Sequence, residues 1–285
     1  MPTIQHILFP LDFSAAGMAT IPYVRGLANQ LHARVTVLSV VPPAWVTPPG
    51  LIPPTVGSDP VALQNAVQSH LDQLAMEGLE SPPARIATVG DPALKIAEFA
   101  RDNAVDLVML PTHGHGLFRE LLLGSVCSKV LHDVPCPVWT AAHAENQQAI
   151  QAPRKILCAL DGSEKARPLA HWAADFSQQV GASLQLLHVV RNPSDWLKLK
   201  SEQALREELL AESRNRIETH LKSGGLDSEL RIAVGEIVAT LTEEARLESA
   251  DLMVVGRGAI HETLGRLRTH VHGIIQRSPC PVLSV

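Results

Sequence analysis

Glycines cluster with small polar residues after a short apolar run in the first half of the chain. The segment 111–125 contains Gly114, Gly116 and Gly124, the last followed by Ser125. Glycine allows the backbone to approach a ligand closely, with N–H groups turned toward it. A helix that opens at Gly124 adds a partial positive charge suited to phosphate. The pattern predicts a phosphate-binding loop built from backbone amides.

This loop differs from two well-known phosphate motifs. The chain has no G-x-x-x-x-G-K-[ST] segment, and neither glycine cluster supplies G-x-G-x-x-G. Glycine loops after strands are common, so the residue types alone indicate phosphate binding without specifying the ligand.

Aspartates leave an apolar run at matching places in the two halves. Asp12 follows the first run, and Asp161 follows its counterpart in the second half. Such a carboxylate can bind a ribose hydroxyl, a base edge or a metal, or it can simply hold a turn or a helix cap. Duplication would reproduce the residue under either interpretation, so both stay open.

Histidines form two H-x-H pairs. His113 and His115 flank Gly114 and could chelate a metal, or touch a phosphate or a base. His270 and His272 lie early in a predicted helix, where side chains two positions apart do not face each other. Because no acidic or thiol residue nearby completes a ligand set, we predict no metal site.

The cysteines number four, and none forms a C-x-x-C pair. Cys127 lies in the first turn of the helix after Gly124, where the helix dipole lowers the pKa of a thiol. It is therefore either a redox-sensitive thiol or a small buried apolar residue, and the second interpretation is favoured. Cys136 and Cys280 are assigned to packing.

The elements that position these residues occur twice along the chain. Matching blocks keep their order in both halves, which indicates duplication of one unit. The blocks are Ile7–Ser14 with Ile156–Ser163, Val89–Asp91 with Val234–Glu236, Asp106–Met109 with Asp251–Val254, and Pro135–Val138 with Pro279–Val282.

Short apolar runs alternate with helical patterns in each half. We predict first-half strands at 4–11, 34–41, 84–89, 106–110 and 137–141, and helices at 14–31, 61–76, 92–102 and 124–132. The second half repeats this order, with a longer amphipathic helix at 194–221. The alternation predicts a parallel sheet with helices on both faces. Ligands of such sheets bind beyond the carboxyl ends of the strands, where the strand order reverses.

Composition places the chain among ordinary globular proteins. It has 285 residues, 46% of them hydrophobic, and a net charge of −5. We predict domains at 1–144 and 154–285, joined by a linker at 145–153. The weakly acidic charge argues against nucleic acid and against an anionic membrane surface as partners. Without a signal-peptide pattern or a long apolar run, we expect a cytoplasmic location.

The residues around Gly114 and Gly124 resemble the universal stress protein family in its tandem form. Gly114, nine further residues, Gly124 and Ser125 match the last three positions of the family motif G-x2-G-x9-G-[ST]. The resemblance covers nearly all of both halves. It implies two tandem Rossmann-like α/β domains of the adenine nucleotide alpha hydrolase-like type. Each would be a five-stranded parallel sheet, the two packed as an intramolecular pseudo-dimer through their last strands.

The resemblance also implies ATP binding, which many members of the family show. Carried over to the first half, it puts Asp12 near the base or ribose, Val40 beside the adenine, and Gly114 in the ribose and phosphate loop. Gly124, Ser125 and the amide of Val126 would meet the phosphates. The expected nucleotide site also includes Pro111, Thr112, His113, His115 and Gly116.

Both halves depart from the motif. Pro111 stands where the family has its first glycine, which removes one backbone donor. In the second half Ala259 replaces the second glycine, and Arg268-Thr269 replaces Gly124-Ser125. Arg268 could grip a phosphate or fill its place, and steric reasoning favours a closed site. We expect a degenerate second site at Asp161, Val189, Gly256, Gly258, Arg268 and Thr269.

These features predict a stress-response sensor or regulator that binds ATP or another adenine nucleotide in its first half, with or without Mg²⁺. A homodimer of tandem chains and an unidentified regulatory protein are the expected partners. One alternative is a scaffold that binds a partner and no nucleotide. The other is a slow ATPase, which Asp12→Ala would inactivate. No triad, H-E-x-x-H motif or pair of catalytic carboxylates supports an enzyme, and any hydrolysis is expected to be slow.

Overall fold

The computed structural model describes residues 3–42, 59–112, 123–141, 152–163, 166–191, 202–223, 229–257 and 266–285. They fall into two compact units, with the division between Ala152 and Pro153. We call the part up to Ala152 the first unit and the part from Pro153 onward the second unit.

The first unit is an α/β sheet whose strands all run parallel. Its strand order is β3-β2-β1-β4-β5. The elements are β1 (His6–Pro10), α1 (Ala15–Leu31), β2 (Arg34–Val41), α2 (Pro60–Asp72), β3 (Ala84–Val89), α3 (Pro92–Asp102), β4 (Leu107–Pro111), α4 (Ser125–Asp133) and β5 (Val138–Ala141).

The second unit repeats this parallel arrangement. Its strand order is β8-β7-β6-β9-β10. The elements are β6 (Lys155–Leu160), α5 (Ala166–Gln179), β7 (Ser183–Val190), α6 (Glu202–Ser223), β8 (Leu230–Val234), α7 (Ile237–Leu247), β9 (Leu252–Val255), α8 (Arg266–Arg277) and β10 (Val282–Ser284). The predicted α/β class is thereby confirmed; the predicted packing of the halves as a pseudo-dimer stays a prediction.

Aliphatic strands form the core of each sheet. Ile7, Leu8 and Phe9 are fully buried in β1, as are Ile156 and Cys158 in β6. Strands covered on both faces require such continuous apolar runs. Right-handed crossovers place α1 and α2 on one face of the first sheet and α3 and α4 on the other, where α3 packs on α4.

Polar residues at the helix starts fix where the chain leaves each strand. Ser14 caps α1 and accepts a hydrogen bond from the Gly17 N–H at 3.1 Å. Asp91 caps α3 in the same way through the Leu94 N–H at 3.0 Å. In α2 and α3 a proline follows the cap, at the position where a helix needs no N–H.

At the end of the sheet away from these helix starts, a carboxylate at the amino end of one central strand holds the amino end of its neighbour. The Asp106 carboxylate accepts hydrogen bonds from the N–H groups of Gln5 and His6, at 2.8 and 2.9 Å. Asp251 does the same for Arg154 and Lys155 in the second unit, at 3.0 and 2.9 Å. We call this pair of carboxylates the aspartate clamps.

Several predicted boundaries are confirmed and others are wrong by a few residues. β2, β3 and α3 have the predicted limits. β1 begins at His6 rather than Ile4, and β4 at Leu107 rather than Asp106, whose side chain serves in the clamp. α2 ends at Asp72 rather than Met76, because Leu74 turns back to the Leu71 carbonyl.

Two other predicted limits are corrected in part. The long helix α6 ends at Ser223 rather than Leu221, while its predicted start at Ser194 lies outside the described residues. β5 and β10 each begin one residue after a proline, which has no N–H for the ladder. Among the helices of the described ranges, none is long and apolar enough to cross a membrane.

Candidate functional site

The strand order places the candidate site of the first unit at the carboxyl ends of β1 and β4. β1 lies between β2 and β4, so the crossovers leave it in opposite directions. A crevice for a ligand opens at this point of an α/β sheet. Asp12, Val40 and Thr112 follow or end the strands that meet here.

Asp12 holds the turn that leaves β1. It is exposed, and its Oδ1 accepts a hydrogen bond from the Ser14 N–H at 3.0 Å. A side chain on Gly17 would come within 3.0 Å of the same oxygen, so this glycine keeps the carboxylate accessible. Asp12 is therefore a turn residue, as one of the two interpretations predicts, and it still presents its carboxylate at the crevice.

The ends of the glycine loop are held together. Pro111 is the buried last residue of β4 and pairs in register with Ala141. The Gly124 N–H then donates to the Thr112 carbonyl at 3.0 Å, which closes the loop at its base. The predicted residues His113, Gly114, His115 and Gly116 lie between, outside the described residues.

The start of α4 presents amides at this closure. Gly124 is the N-cap and makes no side-chain capping bond, and its carbonyl already accepts from the Ser128 N–H at 2.9 Å. Helix geometry leaves the N–H groups of Ser125, Val126 and Cys127 without an intrahelical acceptor. The side chains of Ser125 and Val126 are exposed and half-buried respectively. This first turn can accept an anion.

Lys129 is a cation near this first turn, and the sequence reasoning missed it. It lies four residues after Ser125, hence on the same face of α4, and is also exposed. Its Nζ is 3.4 Å from Oδ2 of Asp91. The Leu94 N–H, and secondarily Lys129, lower the pKa of Asp91. The i,i+4 spacing from Ser125 was the signal available in the sequence.

Val40 lines the neighbouring strand end. It is half-buried and pairs in register with Thr88, and the Gly90 N–H donates to the Val41 carbonyl at 3.0 Å. An apolar side chain at this level can pack against a planar ring. The structure thus brings Asp12, Val40, Thr112 and the first turn of α4 together at the carboxyl ends of the strands of the first sheet.

The second unit keeps the same turn after its first strand but supports it with different side chains. Asp161 accepts hydrogen bonds from both the N–H and the hydroxyl of Ser163, at 3.0 and 2.7 Å. Gly162 has φ +75°, and a Cβ there would lie 2.8 Å from Cε1 of His188. The imidazole of His188 therefore fills the space beneath the turn.

His188 occupies the position that Ser39 has in the first unit, and sequence reasoning missed it. Its ring is buried, and Nδ1 donates to the Leu160 carbonyl at 2.8 Å. Burial lowers the pKa of His188, against a smaller opposing effect of that hydrogen bond. A neutral ring thus plugs the second unit where the first has a small hydroxyl.

The last helix starts earlier in the second unit than in the first. α8 begins at Arg266, so Arg268 and Thr269 lie within its first turn, whereas their counterparts Gly124 and Ser125 begin α4. The amides of His270 and Val271, which correspond to those of Val126 and Cys127, therefore fall inside the helix, where each meets the carbonyl four residues back. The open first turn has no equivalent at these positions.

The remaining residues of the predicted second site are placed only in part. Val189 is buried and pairs with Ala233. A Cβ on Gly256 would lie 3.3 Å from Cδ2 of Leu169, and the N–H of the following Arg257 donates to the Val285 carbonyl at 2.8 Å. Gly258 lies outside the described residues. His270, the counterpart of Val126, accepts from the Arg191 guanidinium at 3.2 Å.

Cysteine and histidine chemistry is limited in the described part of the chain. Cys127 is buried, and burial raises the pKa of its thiol to about 12, which supports the packing interpretation over the redox-sensitive one. Cys136 and Cys280 are also buried. In the ranges that the structure describes, no three His, Cys, Asp or Glu residues are grouped so as to hold a metal ion.

Comparison with known proteins gives one consistent result. A model of the universal stress protein family matches residues 3–141 and 153–285. A universal stress protein of Synechocystis is 38% identical over 141 residues, which are 48% of this chain and 42% of that protein. The chain thus spans less than half the length of that relative. A universal stress protein from Methanocaldococcus jannaschii is 24% identical over 149 residues, which are 47% of this chain and 92% of that protein.

Solved structures agree on the fold. The crystal structure of a universal stress protein from Archaeoglobus fulgidus has a TM-score of 0.67 at 20% identity, covering 100% of this chain and 97% of that one. A putative universal stress protein from Pseudomonas aeruginosa has a TM-score of 0.66 at 16% identity, covering 100% and 94%.

Proposed function

Because the chain belongs to the universal stress protein family, we propose that its first unit binds an adenine nucleotide, with ATP as the favoured ligand. The observation that carries this proposal is the uncapped first turn of α4, held beside the end of β4 by the bond from Gly124 to Thr112. An anion placed there meets several amides and the positive end of the helix.

The residues present fit a nucleotide. The amides of Ser125, Val126 and Cys127 would receive phosphate oxygens, and the Lys129 ammonium would add a cation one helical turn away. Each charge-assisted hydrogen bond contributes about 1.5–3 kcal/mol. These donors compensate for the amide that Pro111 lacks.

The base and ribose would lie toward β1 and β2. Asp12 offers carboxylate oxygens to a ribose hydroxyl or a base N–H, and Val40 offers an apolar surface to the ring. A Mg²⁺ ion would be carried mainly by the phosphates and water, as this ion prefers.

The second unit, in this proposal, does not bind the nucleotide. Three features of the second unit occupy positions that would receive the ligand in the first unit. They are the early start of α8, the buried ring of His188 and the hydrogen bond from Arg191 to His270. The protein would then sense nucleotide with one unit and use the other for structure or for contact with a regulatory partner.

The decisive experiment identifies nucleotide in the protein itself. The chain is purified gently and denatured, and released nucleotide is identified by chromatography and mass spectrometry, followed by titration of the stripped protein with ATP. We expect about one adenine nucleotide per chain. Gly124→Arg, which copies the second unit, should abolish binding, because the side chain enters the place of the phosphate.

A control variant, His132→Arg, adds a cation farther along the same helix and should leave binding intact. About two nucleotides per chain would show that the second unit binds as well. Protein that carries none and takes up no added ATP would overturn the proposal in favour of the nucleotide-free scaffold.

A further inference from the structure

The outer edge of the first sheet is covered by side chains of α2 in the place of another strand. β3 ends the strand order of the first unit, so one side of its backbone faces away from β2. Gln68 donates from Nε2 to the Arg85 carbonyl at 3.1 Å and accepts the Ala87 N–H on Oε1 at 2.8 Å. Gln64 donates to the Ala87 carbonyl at 2.8 Å.

These three bonds reproduce the pattern of a neighbouring strand. Arg85 C=O, Ala87 N–H and Ala87 C=O are consecutive outward groups of β3, and each has a glutamine amide as its partner. Gln64 and Gln68 are one helical turn apart, which matches the spacing of alternate residues on a strand. The amide side chain carries both a donor and an acceptor, as a peptide group does.

The helix α2 that covers the edge has few deeply buried side chains. Leu71 is the buried residue of α2, while Val61 is 62% exposed and Asn65 and Ser69 are exposed on the outer side. Leu71 and the stack of His70 on Phe13 hold the last turns of α2, while the glutamine bonds are what link the helix to the outward groups of β3. An uncovered edge strand is a template for pairing with another chain.

We propose that the outer edge of β3 is a self-association surface, which α2 keeps closed and which pairs with β3 of a second copy of this chain when α2 is released. The inference does not depend on nucleotide binding.

The second copy fits because the edge is complementary to itself. Ala87 turns both its N–H and its C=O outward, so two antiparallel copies can exchange both bonds at this residue about a twofold axis. In that register Arg85 faces Val89, and like charges do not oppose each other. The strand also contains Ile86, Thr88 and Val89, which favour sheet pairing.

The test removes the bonds without removing the helix. Gln64→Met with Gln68→Met keeps side-chain length and helix propensity but deletes the amides. The matched control, Asn65→Met with Ser69→Met, adds the same two methionines on the exposed side of α2. Mass is followed by light scattering after gel filtration over a wide range of concentrations, against the parent chain.

We expect the apparent mass of the Gln variant to rise about twofold with concentration, while the control behaves like the parent. Adding Ala87→Pro should abolish the rise, because it removes the outward N–H and leaves the ladder to β2 intact. Exchange of the Ala87 amide should be protected in the parent, exposed in the Gln variant when dilute, and protected again when it associates.

An unchanged mass would overturn the proposal. A rise shared by the control would do the same, since it would reflect the added apolar surface. Association that persists with Ala87→Pro would show that β3 is not the surface.

Discussion

At the scale of single residues, the aspartate clamps show how much of the repeated sequence serves the fold. Asp106 and Asp251 each hold two backbone amides at the start of the first strand of their unit. A charged acceptor with two amide donors is among the stronger hydrogen-bonding arrangements. The duplication therefore kept these carboxylates together with the pairing of the two central strands, β1 with β4 and β6 with β9, that they stabilise.

Removal of a clamp should therefore weaken its unit. Asp106→Ala leaves the N–H groups of Gln5 and His6 without their acceptor, and we expect a loss of about 2–4 kcal/mol in the free energy of unfolding. Asp251→Ala should cost a similar amount. Urea unfolding followed by circular dichroism measures both. Asp102→Ala, at the end of α3, is the control and should change stability by less than about 0.5 kcal/mol. Equal effects at Asp102 and Asp106 would contradict the clamp.

Lys129 carries a prediction about selectivity, which depends on the proposed nucleotide site. Its ammonium shares the exposed face of α4 with Ser125, so it would meet the terminal phosphates and not the base. Lys129→Gln should weaken ATP binding about 3–10-fold and AMP binding less than about twofold, since the lost contact is a partly screened charge. Calorimetric titration measures both. Lys155→Gln removes the same charge in the second unit and should change neither; an equal loss for ATP and AMP would refute the role.

At the scale of elements, the turn after the first strand is supported differently in the two units, although Asp12 and Asp161 match and hold it in the same way. In the first unit Phe13 takes φ 58° and stacks on His70, with ring centroids 4.5 Å apart. In the second unit Gly162 takes the same backbone conformation over the His188 ring. One backbone shape is thus supported by a surface stack in one copy and by a buried imidazole in the other.

The buried imidazole makes the stability of the second unit depend on pH. Burial lowers the pKa of His188 below that of an unfolded histidine, roughly 6.5. The unfolded chain then binds more protons, so this contribution is complete above about pH 6.5 and is lost as the pH falls below it. His188→Asn keeps a donor for the Leu160 carbonyl and should flatten the pH dependence of urea unfolding.

Some pH dependence should remain in that variant, because burial also lowers the pKa of His6 in the first unit. His132→Asn, at an exposed position of the first unit, is the control for the loss of an imidazole that is not buried. An identical profile for His188→Asn and the parent would show that the second unit does not exclude the charged ring.

Elements that depend on local pattern could be predicted from the sequence, and elements that depend on partners could not. The limits of β2 and β3 were predicted from apolar runs, and those of α3 from its start at Asp91-Pro92. The structure confirms all three. The position of Gln68 against β3 depends on how two elements meet. The packing of α8 on α7 also depends on how two elements meet, because a Cβ on Gly273 would lie 3.3 Å from Val238. In the first unit the residues at these two positions are Lys129 and Ala93.

The candidate site divides in the same way. Asp12 and the Gly124-Ser125 helix start could be located from type and spacing alone. Arg268 was recognised as a substitution, but the three-residue advance of α8 relative to α4 could not be predicted from it, since a helix start depends on which residue caps it. The role of His188 could not be predicted either, because serine, which is Ser39 in the first unit, and histidine are equally compatible with a position near the end of a strand.

At the scale of the whole molecule, the duplication supplies an internal comparison for the proposed function. The two units share a strand order and the aspartate clamps, yet the open first turn of α4 belongs to the first. A ligand that requires this turn should therefore act on the chain asymmetrically. Hydrogen exchange resolved by mass spectrometry can observe both units in one sample.

We expect saturating ATP to slow exchange at Ser125, Val126 and Cys127, because phosphate oxygens would accept their N–H groups. The amides of His270 and Val271 in α8, the counterparts of Val126 and Cys127, should exchange at the same rate with and without ATP, since carbonyls within the helix already accept them. A ligand at about 100 times its Kd stabilises the unit that binds it by about 2.7 kcal/mol, so protection should also extend through β1 and β4. In Gly124→Arg the difference should vanish from α4 and appear nowhere else. Protection of α8 in the parent chain would mean that both copies kept the site, and that the early start of α8 does not close it.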